Sequence, residues 1–373
     1  MKATTIRRKL AILLVGGLFV LVAALAAGCG DDDSEGNDNG TAATEAAEPQ
    51  EVNLLLSFRE SISWTPLLVA RDLGYFEEEG LTINTQVTEG SGFVTQQIIA
   101  GNEKFGWAGA DSDVIAFSKQ PDLRLVMCNE GQSIFRITTP ADSDIQSVED
   151  LAGGTLGISE RGGGEEPLVT AALTDAGIFD EVRQVPIGGA GPTSQKALTD
   201  GEVDAWAEGY VDVVSMQSVL ELRDITPDKF SATPGNCFIM LKETLEDEET
   251  RQQAVGITRA WKKGMIFAEA NPEAALEIVC GVVPEDCEDR EFAAALLDMA
   301  ISLYQPVNES FEPGQVDAEG VQTSAGILAD NEAIDAPVDV TPLVASPEGE
   351  AVIDEWMQVD ADAVREEAAN YQP

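Results

Sequence analysis

Short apolar runs alternate with helix-forming stretches along this chain, and the alternation is gone through twice. Val52–Phe58 (Val-Asn-Leu-Leu-Leu-Ser-Phe) reads as a buried strand. Thr65 then reads as an N-cap with Pro66 at the first helical position, and apolar residues recur at Leu67, Leu68, Ala70 and Leu73. Gly80 closes that helix and Leu81–Val87 alternates like a strand. Gly90-Ser91-Gly92 turns into a helix through Ile98 and Ile99, and strands follow at 105–110 and 123–128, with Asp111 as the N-cap between them. The order restarts with strands at 155–158, 182–187 and 203–207 and helices at 167–176, 193–199 and after Tyr210. This grammar predicts an α/β fold of two lobes, each a mainly parallel sheet flanked by helices. From Leu245 onward the pattern is mostly helical, clearest at 251–270 and 291–304. Val352, Ile353, Trp356 and Met357 make an apolar face that predicts a docked terminal helix. Trp107 and Trp206 fall within strands and read as core.

The first fifty residues set the compartment. Lys2, Arg7, Arg8 and Lys9 precede an apolar run from Leu10 to Ala27, which ends in Leu25-Ala26-Ala27-Gly28-Cys29. A charged start, an apolar core and small residues before a cut site predict a signal peptide over 1–28. The cysteine after the small residues resembles a bacterial lipoprotein signal, with Cys29 as the lipid-modified first residue, although Leu25 stands one place early. Residues 29–50 hold Asp31-Asp32-Asp33 and no aromatic or large aliphatic side chain, the composition of a solvated tether. The expected location is the outer face of a cell membrane, held by the lipid. A membrane-spanning anchor is the alternative.

Charge and composition close several routes. Four of the 22 basic residues lie in the signal, leaving 18 against 67 acidic side chains and a charge of −49 from Cys29 onward. Such a field repels nucleic acid. The chain has no histidine, which removes Ser-His-Asp and Cys-His nucleophile systems and His-ligated zinc. Beyond Cys29 there are four cysteines, an even number that predicts two disulfides in an exported chain. Cys280 and Cys287 bracket a turn-like segment and can close a small loop, which leaves Cys128 with Cys237. A metal site is the rival, but no Cys-x-x-Cys pair is present. Arg161-Gly162-Gly163-Gly164 follows a strand and precedes a helix, as a phosphate loop does. It lacks the Gly-Lys-Ser/Thr ending, and Glu165-Glu166 at the helix start repel phosphate, so a structural turn is the better reading.

The segment from Thr65 through Gly74-Tyr75-Phe76 to Gly80-Leu81 resembles the opening of the ABC-transporter substrate-binding proteins for sulfonates, nitrate, taurine and thiamine pyrimidine precursors. Ile99-Ala100-Gly101-Asn102, Val148-Glu149-Asp150-Leu151-Ala152-Gly153, Gly201-Glu202-Val203-Asp204-Ala205 and Ala336-Pro337-Val338-Asp339-Val340 carry the likeness on, in order, from Val52 to Val344. The resemblance implies a periplasmic-binding-protein fold. One lobe is built from 51–130 and 238–373, the second from 131–237, and a ligand cleft lies between them. Two hinge strands cross between the lobes near 126–137 and 233–241. The resemblance gives Cys128–Cys237 its place, tying those strands on the first-lobe side. It also implies a monomer that delivers a small molecule to a membrane permease, with no cofactor. Relatives of the fold that make the thiamine pyrimidine use histidine and cysteine, which this chain without histidine does not match.

Open α/β sheets bind ligands beyond the carboxyl ends of their strands. That rule selects six loops: 59–64, 89–93 and 111–113 in the first lobe, and 159–166, 188–194 and 208–212 in the second. The candidate ligand residues are Ser63, Trp64, Ser91, Gly92, Asp111, Ser112, Arg161, Gly163, Gly189, Ala190, Tyr210 and Asp212. Trp64 offers a stacking face, Ser91 and Gly92 offer donors at a helix start, and Asp111 or Asp113 accepts from an amine. Gly189 permits close backbone approach, and Tyr210 closes the cleft from the far lobe. For Trp64 the rival is a core or rim position, and for Asp111 a helix cap. Only Arg59 and Arg161 are basic in these loops, against nine carboxylates. The balance leans toward a neutral or cationic nitrogen heterocycle, such as a thiamine pyrimidine precursor, and away from an alkylsulfonate, taurine or nitrate. A ligand sensor that hands nothing to a permease is a further alternative.

Overall fold

The computed structural model describes residues 49–372 apart from Glu160 and Gly162. The expected signal peptide, the lipidated Cys29 and nearly all of the tether lie outside the described residues. Ten strands form two five-stranded sheets. The first holds β1 (Gln50–Leu56), β2 (Leu81–Val87), β3 (Gly106–Gly109), β4 (Leu123–Cys128) and β10 (Asn236–Leu241), in the order β2-β1-β3-β10-β4. The second holds β5 (Phe135–Pro140), β6 (Thr155–Ile158), β7 (Arg183–Pro186), β8 (Ala205–Gly209) and β9 (Leu222–Asp224), in the order β7-β6-β8-β5-β9.

Each sheet is parallel except for one inserted strand. β1 pairs in parallel with β2 and β3, while β10 runs antiparallel between β3 and β4. In the second sheet β6 is parallel to β7 and β8, while β5 runs antiparallel between β8 and β9. The reversal has a simple cause. A chain that leaves one sheet at its carboxyl edge and crosses the cleft enters the other sheet from its cleft end, so β5 and β10 must run against their neighbours.

The two crossings differ from the expected continuous hinge strands. Residues 129–134 and 232–235, between the sheets, are not strand. Here the Glu130 carboxylate takes over as hydrogen-bond partner, accepting from the backbone N–H of Asn236 at 2.8 Å. Below the crossing, β4 and β10 pair with Cys128 opposite Cys237, and these cysteines are disulfide-bonded with Cα atoms 3.9 Å apart. Cys280 and Cys287 form the second disulfide. Both pairings match the expectation.

The core of the first lobe is aromatic. Trp107 of β3 stacks on Trp261 at 4.1 Å between ring centres, with Phe238 of β10 at 5.4 Å. Trp261 sits in the helix Glu248–Ala270, which lies on the helix Thr65–Asp72 with little clearance. A Cβ on Gly264 would stand 2.1 Å from the Pro66 carbonyl oxygen, so only glycine permits this crossing. Thr65 is the first residue of its helix rather than the cap, and its hydroxyl donates to the Ile62 carbonyl. The expected terminal helix is present as Pro347–Trp356, with Val352 and Trp356 fully buried and the Trp356 Nε1–H donating to the Val126 carbonyl. Gly264→Ala is expected to lower stability by about 2 kcal/mol or more, overpacking outweighing the ~1 kcal/mol of helix propensity gained. Chemical denaturation measures it, and an unchanged midpoint would refute the close crossing.

Candidate functional site

The strand-to-helix loops of both sheets face one another across the crossings. They enclose a cavity of about 300 Å³ whose floor is Glu130, Ile134, Phe135 and Asn236 and whose sides are Phe58, Ser63 and residues 208–212. Each polar group on this surface is placed by a specific contact. Asn129 accepts from the Trp261 indole at 3.0 Å and donates to the Ser63 carbonyl and to Glu130, which fixes the turn before the first helix against the crossing. Glu130 also accepts from both nitrogens of Asn236, and its burial holds its carboxyl above the usual range. The Ser63 and Tyr210 hydroxyls meet at 2.5 Å, a direct bond between the lobes.

The expected residues divide. Ser63, Tyr210 and Asp212 line the cavity. Trp64 does not: it is fully buried, stacked on Phe58 at 4.6 Å and edge-on to Trp107 and Trp261. It is a core residue, and the ring that reaches the cavity is Phe58, lying over it. Asp111 is not an N-cap. The helix Ala110–Phe117 begins one residue earlier, and Asp111 and Ser112 lie half-buried in its first turn. Asp113 beside them is fully buried with neither oxygen hydrogen-bonded, and burial next to Asp111 raises its carboxyl well above the usual range. None of the three lines the cavity.

The remaining candidates are used within their own lobes. The Ser91 hydroxyl accepts from the Gly109 N–H at 2.9 Å, and Gly92 is exposed. Arg161 turns back to the Gln184 carbonyl and to Glu166, away from the cavity. Gly163 lies against the Glu165 carboxylate, where a Cβ would approach to 2.5 Å. Gly189 is likewise pressed on Asp212, whose Oδ1 accepts the Ala190 N–H at 2.7 Å.

A pattern emerges from these contacts. Three backbone amides at the ends of second-sheet strands and in the loops after them already hold carboxylates of the chain itself. Glu165 takes the N–H of Ser159 after β6, Asp212 that of Ala190 after β7, and Glu208 that of Gly209 after β8. Arg59 is bound to Asp286 at 2.6 Å, on the loop closed by Cys280 and Cys287, and Asp286 also accepts the Ile62 N–H. No Lys or Arg lines the 300 Å³ cavity. Among the described residues, no group of three or more His, Cys, Asp or Glu is placed to hold a metal.

Strand-to-helix reasoning missed Glu130, Phe135 and Asn236, because they belong to the crossings and not to those loops. Phe58, at the end of the first apolar run, was read as strand. The crossings were themselves expected, and a cleft floor must be made of the segments that join its walls, so that signal was available.

The fold and this inter-lobe cavity define a protein of the periplasmic-binding-protein type. The aliphatic sulphonate binding protein SsuA from Escherichia coli shares the fold, with a TM-score of 0.59 and 16% identity over 79% of this chain and 92% of that one. The chain belongs to the NMT1/THI5 like family, whose pattern matches residues 61–275. The riboflavin-binding protein RibY of Chloroflexus aurantiacus is 23% identical over 309 residues, 78% of this chain and 84% of the relative. A 4-amino-5-hydroxymethyl-2-methylpyrimidine phosphate synthase of Legionella pneumophila is 23% identical over 249 residues, 63% and 74% of the two chains.

Burial, with Asp212 and Glu165 nearby, raises Glu208 to about 7. The folded state therefore holds this proton more tightly than the unfolded chain. The contribution is full below the unfolded value, 4.5, and is lost as pH rises to about 7. Glu208→Gln is expected to stabilise the free protein by about 1–2 kcal/mol near pH 8 and hardly at all near pH 4. Denaturation midpoints at the two pH values test this, and equal midpoints near pH 8 would contradict the buried acidic cluster.

Proposed function

We propose that this chain is an extracytoplasmic solute-binding protein that delivers a neutral or cationic nitrogen heterocycle to the permease of an ABC importer. The observation that carries the reading is the cavity itself. Glu130, Glu208 and Asp212 face it together with Phe58, Phe135 and Tyr210, and no basic side chain lines it. Aromatic faces and carboxylate acceptors suit a flat ring bearing amino or ring N–H donors. A sulfonate or nitrate needs positive groups or open amides, and here three of the second-lobe amides, those of Ser159, Ala190 and Gly209, are taken by the chain's own carboxylates. The relatives support the same class, since one is named for riboflavin and another for a thiamine pyrimidine.

In this reading the protein is a binder and not an enzyme, because the pyrimidine synthases of the fold use histidine in their chemistry and this chain has none. It works as a monomer. Residues 51–130 and 238–373 form one lobe and 131–237 the other, and Cys29 carries the lipid that keeps the protein at the membrane. Closure over the ligand is a hinge motion about the two crossings.

Native mass spectrometry and thermal-shift screening against pyrimidines, flavins, alkylsulfonates, nitrate and amines test the proposal. A ligand present at a hundred times its Kd stabilises by ~2.7 kcal/mol, a rise of roughly 4 °C for a chain of this size. The expected result is such a rise with a heterocycle and none with sulfonates or nitrate. The opposite pattern would refute the electrostatic argument, and Glu208→Lys, expected to abolish heterocycle binding, gives an independent check.

A further inference from the structure

The 300 Å³ cavity does not stand alone. It shares Phe58, Ser63 and Val211 with a neighbouring space of about 540 Å³. That space shares Asp289 and Phe292 with a groove of about 810 Å³ between the helices Tyr210–Gln217 and Arg290–Ser302. By these shared lining residues the three spaces adjoin in series, from the crossings to the groove between the two helices. The proposed heterocycle fills only the inner end of the series.

The outer groove has a chemistry of its own. Phe292, Met299 and Val214 give it an apolar base, and Ser215, Ser218 and Ser302 line it with hydroxyls. Asp289, Glu291 and Asp298 supply carboxylates, with no Lys or Arg among the lining residues. Asp289 is committed to the helix start, accepting from the N–H groups of Glu291 and Phe292. Asp298 is exposed on the groove side, and the Ser218 and Ser302 hydroxyls donate to the Ser215 and Met299 carbonyls, which leaves their lone pairs as acceptors. Such a surface accepts hydrogen bonds and repels negative charge.

Resting on the heterocycle reading, we infer that the ligand carries a non-anionic, hydroxyl-bearing chain on its ring. The ring occupies the inner cavity and the chain extends along the groove between Tyr210–Gln217 and Arg290–Ser302. The groove then sets selectivity twice. It favours the extended molecule over the bare ring, and it rejects the same molecule once its end is phosphorylated.

Two ligand ladders test this by calorimetry on the purified protein. One runs from lumichrome to riboflavin to riboflavin 5′-phosphate. The other runs from 4-amino-5-hydroxymethyl-2-methylpyrimidine to thiamine to thiamine monophosphate. In the ladder whose ring binds, the second member is expected to bind about tenfold tighter than the first, and the third to lose that gain. Ala295→Trp narrows the groove from an exposed helix position and is expected to bring the ratio of second to first member to about one. Asp298→Lys is expected to recover binding of the phosphorylated member. Ring binding without a gain for the second member, or a gain that survives Ala295→Trp, overturns the groove and leaves the heterocycle reading standing. Binding of no member of either ladder overturns both.

Discussion

The whole arrangement hangs on two backbone crossings that are tied to one another. Cys128 and Cys237 join β4 to β10 covalently, and one step further toward the cleft the Glu130 carboxylate binds Asn236. Asn129 then reaches from the crossing to Ser63 and Trp261. The hinge and the cleft floor are thus the same residues. In the proposed closure the bending falls at 129–134 and 232–235 and carries the second sheet, while the disulfide keeps the first-sheet ends of both crossings in register. A disulfide closing so long a loop stabilises by roughly 5 kcal/mol in the chain-entropy picture, by restricting the unfolded chain. In the folded state its effect is local, and it sets where bending can begin.

From that floor upward the site is built by carboxylates turned inward. Helix starts after parallel strands present free N–H groups and a positive dipole end, which makes them natural anion sites. In this chain Glu165, Asp212 and Glu208 hold the amides of Ser159, Ala190 and Gly209, just before those helix starts, from within. The acidity of the sequence as a whole would suit a salt-adapted surface. Carboxylates bonded to loop amides at a buried cavity do something else, because they replace the positive potential of the fold with a negative one at the place where a ligand must sit.

Much of the fold was legible because it follows from periodicity and breaker residues. The strands at 81–87, 123–128 and 155–158 fall where the alternation puts them, and the docked terminal helix follows from Val352 and Trp356. The reversed strands β5 and β10 were less so, since direction depends on which side of the cleft the chain enters from. At the site, Ser63, Tyr210 and Asp212 could be read from loop position alone. Trp64 could not, because its neighbours Trp107 and Trp261 come from distant segments and only tertiary packing shows that they bury it. Phe58, six residues earlier in the chain, is the ring that lines the cavity instead. The engagement of the loop amides by carboxylates was invisible for the same reason: Asp212 is 22 residues from the amide it holds.

The loop closed by Cys280 and Cys287 has a consequence for how the cleft looks when it is open. Asp286 on that loop grips Arg59 and the Ile62 amide, and all three belong to the same side of the hinge. Parting the lobes therefore separates Tyr210 from Ser63 but does not release the guanidinium. Arg59, the basic side chain lining the space beside the cavity, thus stays paired in the proposed open form as in the closed one. In the proposed binding role, discrimination against anions is in place at first encounter, before any closure has been completed.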